Sequence, residues 1–494
     1  LTPDPVESVY SGVVSHKSLR IVVFLSQLNR QQLWGADVGN AYLEAYTREK
    51  VYIVAGKEFD ELEGHILIIS KALYGLKTSG KMWHERFADI LGELGFIRSK
   101  ADSCVWLRPL KDGSAYEYIA VYVDDLAISS PNPESIIEIL ENKFNLKLKG
   151  VGKLEYHLGC DYFRDKDGNL VYCPHKYITK MEESYKAMFN GETPPTKHKT
   201  PLDKNDHPEI DTSEYLESDG IEKYMTLIGQ LQWVISLGRF DTMVHIITMS
   251  RFRLAPRSGH MERVKRIVGY VVRTKHFGIR IRIEEPDPSH LPDLNYDWSR
   301  EVYGDIREEV PSDIPPPMGK PVVLSTYLDA NLLHCLATGR ALSSVLHFIN
   351  GTPFEWFSKR QATVETATYG SEFVVARTAV EQVLENRQLL RYLGVPIKGE
   401  TNMFGDNRAV VTSSTIPHSV LTRRMLLLAY HKVRENIAAK VVTFHWIDGK
   451  MNYSDIMSKH WEWAAVGHHI LNLFEKAGKI TIIPIESISP MKGE

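Results

Sequence analysis

Two adjacent aspartates, Asp124 and Asp125, interrupt an apolar run, with Tyr118-Ile119-Ala120-Val121-Tyr122-Val123 before them and Leu126-Ala127-Ile128 after. The pattern reads as a tight hairpin with two acids at its tip. Aspartate favours turns, so the pair alone is equally well an ordinary connection. Asp37 changes that balance: it closes another short apolar run, Leu33-Trp34-Gly35-Ala36, far enough upstream for intervening elements to set the two strands side by side. Nucleotidyl transfer needs divalent cations that bind a triphosphate and activate a hydroxyl, and such hard cations take carboxylate oxygens. Tyr42, shortly after Asp37, is an aromatic that could lie under the sugar of an incoming nucleotide and exclude a 2'-hydroxyl; core packing is its plain alternative.

A second group of acids follows far downstream. Asp329 ends a strand predicted over 322–328, Glu372 lies near the start of a helix predicted over 368–393, Asp406 ends a strand, and Asp455 opens a helix. Carboxylates at strand ends and helix starts can share one site, and metal-assisted hydrolysis is the chemistry they would support. Each also has a plain account; Asp455, for example, suits a helix N-terminus, where negative charge is stabilised.

Rigid elements must position these side chains. At 494 residues two or three domains are expected, and 43% apolar with 24% charged residues is a globular composition. No apolar run reaches the roughly 18 residues a bilayer span needs. Residues 1–16 show neither an initiator Met nor a signal pattern and read as the inside of a longer product, a polyprotein fragment. A net charge of -3 neither demands nor excludes a phosphate-rich partner. Cys104, Cys160, Cys173 and Cys335 contain no Cys-x-x-Cys pair, which argues against a zinc ribbon and against a disulfide framework.

Two blocks of opposite charge divide the chain. Residues 251–282 are strongly basic, with Glu262 the single acid, and are expected to be largely helical. Residues 284–320 are acidic and proline-rich, a composition that builds no core and reads as a linker. Before the linker, short β-branched runs mix with amphipathic helices such as 81–94, an α+β layout. After it, strands predicted at 322–328, 341–349, 401–404 and 440–447 with the helix 368–393 imply a mixed sheet flanked by helices.

With these residues in place, the chain resembles the reverse transcriptases of copia-type long-terminal-repeat retrotransposons over nearly its whole length. The carriers are Asp37-Val38-Gly39-Asn40-Ala41-Tyr42-Leu43, Lys71-Ala72-Leu73-Tyr74-Gly75-Leu76-Lys77 with Trp83, Gly95-Phe96 to Ala101-Asp102, Tyr122-Val123-Asp124-Asp125 and Tyr156-His157-Leu158-Gly159. Beyond the linker, Trp356-Phe357-Ser358-Lys359-Arg360-Gln361 and Ser454-Asp455-Ile456-Met457-Ser458-Lys459 are similar to the ribonuclease H domain of these elements.

The resemblance implies an α+β right-hand polymerase (palm, partial fingers, thumb/connection) followed by an α/β ribonuclease H-like domain. Its divisions are 1–200 for partial fingers and palm, 201–283 for thumb/connection, 284–320 for the linker, 321–480 for the ribonuclease H-like domain and 481–494 for a tail. Asp37, Asp124 and Asp125 would hold one pair of Mg²⁺ or Mn²⁺ ions; Asp329, Glu372, Asp406 and Asp455 would hold a second pair. Tyr42 matches the steric-gate position, Tyr74, Gly75 and Lys77 belong to a box that touches nucleotide or template, and His157, Leu158 and Gly159 match a primer grip. The basic block would track a duplex backbone. Implied partners are an RNA template, a DNA primer, RNA–DNA hybrid, deoxynucleoside triphosphates, and the integrase and capsid parts of the same polyprotein, with no membrane. The implied location is intracellular, in a cytoplasmic virus-like particle, with the nucleus as an alternative. The rival reading is a truncated or decayed element that binds nucleic acid without polymerising.

Overall fold

The structure, a computed structural model, describes residues 9–421 and 424–476; the expected tail at 481–494 lies outside them. Its first sheet has six strands, in the order Ile97–Arg98, Val105–Pro109, Tyr116–Tyr122, Asp125–Ser130, Gln32–Val38 and Leu148–Lys153. All neighbours are antiparallel. The central strand Tyr116–Tyr122 is buried on both faces: Tyr118 and Ala120 enter one core, Ile119 and Val121 another. Helices Ser79–Glu93 and Pro133–Asn142 cover the second face, burying Trp83, Phe87 and Ile90 from one and Ile136, Ile137 and Leu140 from the other. These positions recur at helical spacing and form one apolar stripe per helix.

The opposite face receives helix His16–Leu28. Ser15 caps it through a hydrogen bond from Ser18 N, and Ile21 through Leu25 are all buried. Five consecutive buried apolar residues leave no solvent face in mid-helix, and here the C-terminal domain closes over it. Arg20 donates from Nε to Phe354 O at 2.6 Å and from Nη1 to Ser236 O at 3.0 Å, and its guanidinium lies 4.1 Å above the Trp356 ring. Lys17 pairs with Glu355 at 3.0 Å and Glu385 at 2.7 Å. One apolar core therefore runs from Val14 to Phe474.

A second sheet joins Tyr156–His157, Cys160–Arg164, Leu170–Cys173, Phe277–Arg280 and Phe474–Lys476. Beside it pack helices Ser218–Ser236, Met243–Ser250 and Ser258–Arg273. Here the basic block behaves differently from its expectation. Arg263 bridges Asp206 at 2.8 Å and Asp211 at 2.6 Å, Arg266 reaches Asp203 at 2.6 Å, Lys275 reaches Glu182 at 3.3 Å, and Arg280 reaches Asp167 at 2.6 Å. Much of its charge is neutralised within the fold by acids that are distant in sequence. Arg239 and Asp241 form a fully buried pair, completed by Thr274 and the Tyr270 hydroxyl.

The third sheet runs Thr352–Arg360, Arg340–Ile349, Leu324–Cys335, Thr401–Gly405 and Val442–Trp446. Its first three strands are antiparallel, and the last two run parallel to Leu324–Cys335. The long helix Thr368–Tyr392 packs on it. This mixed order, with helices against the sheet, is an α/β arrangement behind the α+β one, as expected for the C-terminal part. Two details differ from sequence expectation. The strand expected to stop before Asp329 continues to Cys335, because Asp329 pairs with Ser344 inside the ladder; and Thr352–Arg360 is a full strand that sequence reasoning left unassigned.

Residues 284–320 contain no helix or strand but lie docked on both halves. Trp298 is 8% exposed and joins the C-terminal core, with the Arg434 guanidinium 4.7 Å from its ring. Glu308 is held by Arg387 at 2.8 Å and Arg391 at 2.6 Å. Tyr303 bonds His431 at 2.7 Å, and the Tyr116 hydroxyl donates to Pro316 O at 2.8 Å. The segment is a strap rather than a free linker. Among the described residues no helix is long and apolar enough to cross a membrane.

Candidate active sites

The first site is built by register. Strand Gln32–Val38 pairs with Asp125–Ser130 so that Asp37 stands opposite Asp125, and Asp125 in turn pairs with Tyr122 across the hairpin. Only Val123 and Asp124 are left for the turn. The expected tip with both acids is thus divided: Asp124 lies in the turn, Asp125 at the first position of the returning strand. Val38 N donates to Asp124 O at 2.9 Å, tying the turn to the neighbouring strand. Burial, then the charges of Asp124 and Asp37, pushes Asp125 up to about 6. A cation beside Asp125 would relieve the repulsion that Asp124 and Asp37 exert on it.

Tyr42 sits in the short 3-10 turn Ala41–Glu44, entered through Asn40 in the left-handed region at φ 57°. Its ring packs 4.6 Å from that of Tyr74, which is exposed. Burial, Asp124, Tyr42 and Asp37 all raise the Tyr74 phenol, so this ring lies within the field of the carboxylates. Gly75 has φ 97° with open space around it, so backbone conformation rather than crowding calls for glycine. Lys77 is exposed just before helix Ser79–Glu93.

Leu158 and Gly159 form the turn between Tyr156–His157 and Cys160–Arg164 in the second sheet, and His157 pairs with Cys160 across it. His157 is buried and its Nε2 has no hydrogen-bond partner. Burial, then the neighbouring His16, pushes it down to about 4. Leu158 and Gly159 have φ 46° and 94°, and a Cβ on Gly159 would meet Leu237 Cδ1 at 3.0 Å.

The second site is more closed. Asp329, Glu372 and Asp406 each offer an oxygen within 4.8 Å of the others. Asp329 and Glu372 are each 3% exposed, and Asp329 Oδ2 is buried without a hydrogen-bond partner. Ala330 N donates to Glu372 Oε1 at 3.3 Å. Burial, then Asp329 and Asp406, raises Glu372 well above the usual carboxylate range, while burial and Asp329 push Asp406 up to about 6. Asp455 stands beside this trio rather than within it. Burial and Asp329 push it up to about 7, and its Oδ1 is 2.8 Å from Lys459 Nζ, which also lies 3.6 Å from Asp329 Oδ2.

Two contributing residues escaped sequence reasoning. Lys459 is a built-in counter-charge, legible only as an i,i+4 partner of Asp455. Trp83 was noted as a motif residue, but its indole Nε1 donates to Val123 O at 2.7 Å, a contact no spacing rule reveals.

Several known proteins are similar to this chain. Residues 4–197 match the family described as reverse transcriptase (RNA-dependent DNA polymerase). The putative transposon Ty5-1 protein of Saccharomyces cerevisiae is 24% identical over 354 residues, covering 70% of this chain and 100% of that protein. The retrovirus-related Pol polyprotein from transposon TNT 1-94 of Nicotiana tabacum is 22% identical over 92% of this chain, and that from transposon RE1 of Arabidopsis thaliana 21% over 91%. The chain spans only 32% and 28% of those two polyproteins. Among solved structures, the foamy viral protease-reverse transcriptase in complex with RNA/DNA hybrid overlaps 90% of this chain and 47% of its own at 13% identity, with a TM-score of 0.38. Residues 4–197 are a reverse transcriptase domain. Over most of its length the chain is similar to the Pol polyproteins of these transposons.

Proposed function

We propose that this chain copies retrotransposon RNA into DNA at Asp37, Asp124 and Asp125 and hydrolyses the RNA of the resulting hybrid at Asp329, Glu372, Asp406 and Asp455. The observation that carries the reading is the register that sets Asp37 opposite Asp125 beside the Asp124 turn. Divalent cations bound at each cluster, Mg²⁺ or Mn²⁺ in pairs, would supply charge neutralisation and activation of the attacking oxygen. At the second site the donor set fits such ions, since Asp329, Glu372 and Asp406 each offer a carboxylate oxygen within 4.8 Å of the others; at the first, the fit rests on the all-carboxylate chemistry of Asp37, Asp124 and Asp125.

In the polymerase, Asp37 and Asp125 are held rigidly by the ladder, and Asp124 approaches from the turn. Tyr42 and Tyr74 form an aromatic floor where a nucleotide sugar would rest, and Tyr42 would exclude a 2'-hydroxyl. Gly75 and Lys77 would meet nucleotide or template, and His157 to Gly159 would support the primer end. In the nuclease, Glu372 is fixed by Ala330 N, and Lys459 holds Asp455 in place. The corresponding substrates are an RNA template, a DNA primer, deoxynucleoside triphosphates and the hybrid. Integrase and capsid parts of the same polyprotein are further partners in this reading, and a cytoplasmic virus-like particle, or the nucleus, the setting. Primer extension on an RNA template with Mg²⁺ or Mn²⁺ tests it: the wild type is expected to extend and Asp124→Asn to lose extension. Equal extension by both would exclude this site.

A further inference from the structure

Val123 occupies the left-handed region at φ 59°. For a β-branched residue this is a strained conformation, and the first position of a two-residue hairpin turn is where glycine is commonly found instead. A strained turn persists only when its surroundings over-determine it. Two hydrogen bonds do so here. Val38 N binds Asp124 O on one side of the turn, and on the other the Trp83 indole N–H binds Val123 O at 2.7 Å. Trp83 is itself immobile: it is 2% exposed, stacked on Phe87 with centroids 5.0 Å apart, in a helix whose apolar stripe is locked under the sheet.

We propose that Trp83 is a positioning residue for the polymerase carboxylates, clamping the Val123 carbonyl so that the strained turn holds Asp124 beside Asp37 and Asp125. The inference rests on the polymerase reading above and adds a residue that touches neither substrate nor cation. The indole acts through one bond: its N–H fixes the Val123–Asp124 peptide, and the peptide fixes the Asp124 side chain. Losing the bond while keeping an aromatic ring at 83 frees the peptide to rotate and relax the valine.

The test uses the full chain and four proteins: wild type, Trp83→Phe, Val123→Gly and the double variant. Trp83→Phe keeps the buried ring and removes the donor. It is expected to lower kcat for primer extension at least tenfold with nucleotide KM within about threefold, while hybrid cleavage by the same molecules stays within twofold of wild type. Glycine adopts the left-handed conformation without strain, so Val123→Gly is expected to make the clamp dispensable. The double variant should then extend no worse than Val123→Gly alone. Extension by Trp83→Phe within twofold of wild type would overturn the proposal, as would parallel loss of both activities, which marks general unfolding. A wild type that does not extend would sink the polymerase reading instead. The clamp is then decided by crystal structures of wild type and Trp83→Phe: a Val123 carbonyl rotated away only in the variant supports it, and an unchanged turn overturns it.

Discussion

Asp406 and Asp455 carry protons more readily in the fold than free carboxylates do, at about 6 and about 7. Raised folded-state values mean that the protonated forms favour the native state. Their contribution to stability is fully present below about 4, the usual value, and is lost as pH rises through about 6 to 7. In chelator, Asp406→Asn, which removes one repelling charge, is therefore expected to gain thermal stability relative to wild type as pH rises from about 5 to 8. A difference in melting temperature that does not change with pH would contradict this. The acids themselves were legible in the sequence because hard-cation chemistry demands carboxylates. What was not legible is their company: Lys459 reaching Asp329 and Trp83 behind Val123 act through contacts that only tertiary packing creates.

At the level of elements, strands and helices with a strong period were legible close to their true bounds: the helix expected over 81–94 forms as Ser79–Glu93, and that over 368–393 as Thr368–Tyr392. Thr352–Arg360 was missed because Glu355, Ser358 and Lys359 mask its alternation, and its apolar residues serve a core shared with Arg20 and helix His16–Leu28. The acidic segment 284–320 was misjudged for a related reason, since composition predicts a linker but Trp298 and Glu308 anchor it. Burial opposes ionisation of Glu308, yet Arg391 and Arg387 outweigh it and hold the carboxyl down to about 2. The sign is that of a depressed acid: its stabilisation is present above the ordinary carboxylate range and lost only as pH falls through about 2. Glu308→Ala leaves two guanidiniums facing each other and is expected to destabilise by about 3 kcal/mol, read as a lowered denaturant midpoint. A midpoint unchanged within error would mean that the strap is not held there.

The whole molecule shares one apolar core, in which helix His16–Leu28 lies between the palm sheet and the C-terminal sheet. Domains that share a core this way should not melt separately. Calorimetry on the full chain is expected to give a single transition; two well-resolved ones would show that the Arg20 and Lys17 contacts do not couple the halves. Sequence reading set a boundary at the charge reversal, but strand Phe474–Lys476 crosses it to pair with Phe277–Arg280. It could not see that the first described helix belongs to both halves, because a buried run such as Ile21 to Leu25 does not say what encloses it.

The proposed function places two carboxylate clusters, one on a hairpin and one in a mixed sheet, in one chain with a shared apolar core. The most direct measurement runs primer extension and RNA–DNA hybrid cleavage side by side on wild type, Asp124→Asn and Asp406→Asn. Loss of a direct carboxylate should cost more than the roughly 10- to 100-fold that loss of an outer partner typically costs. The expected result is that Asp124→Asn loses extension and keeps cleavage, while Asp406→Asn does the reverse. A wild type with neither activity, or a variant that loses both together while still folded, would contradict the assignment of two independent sites.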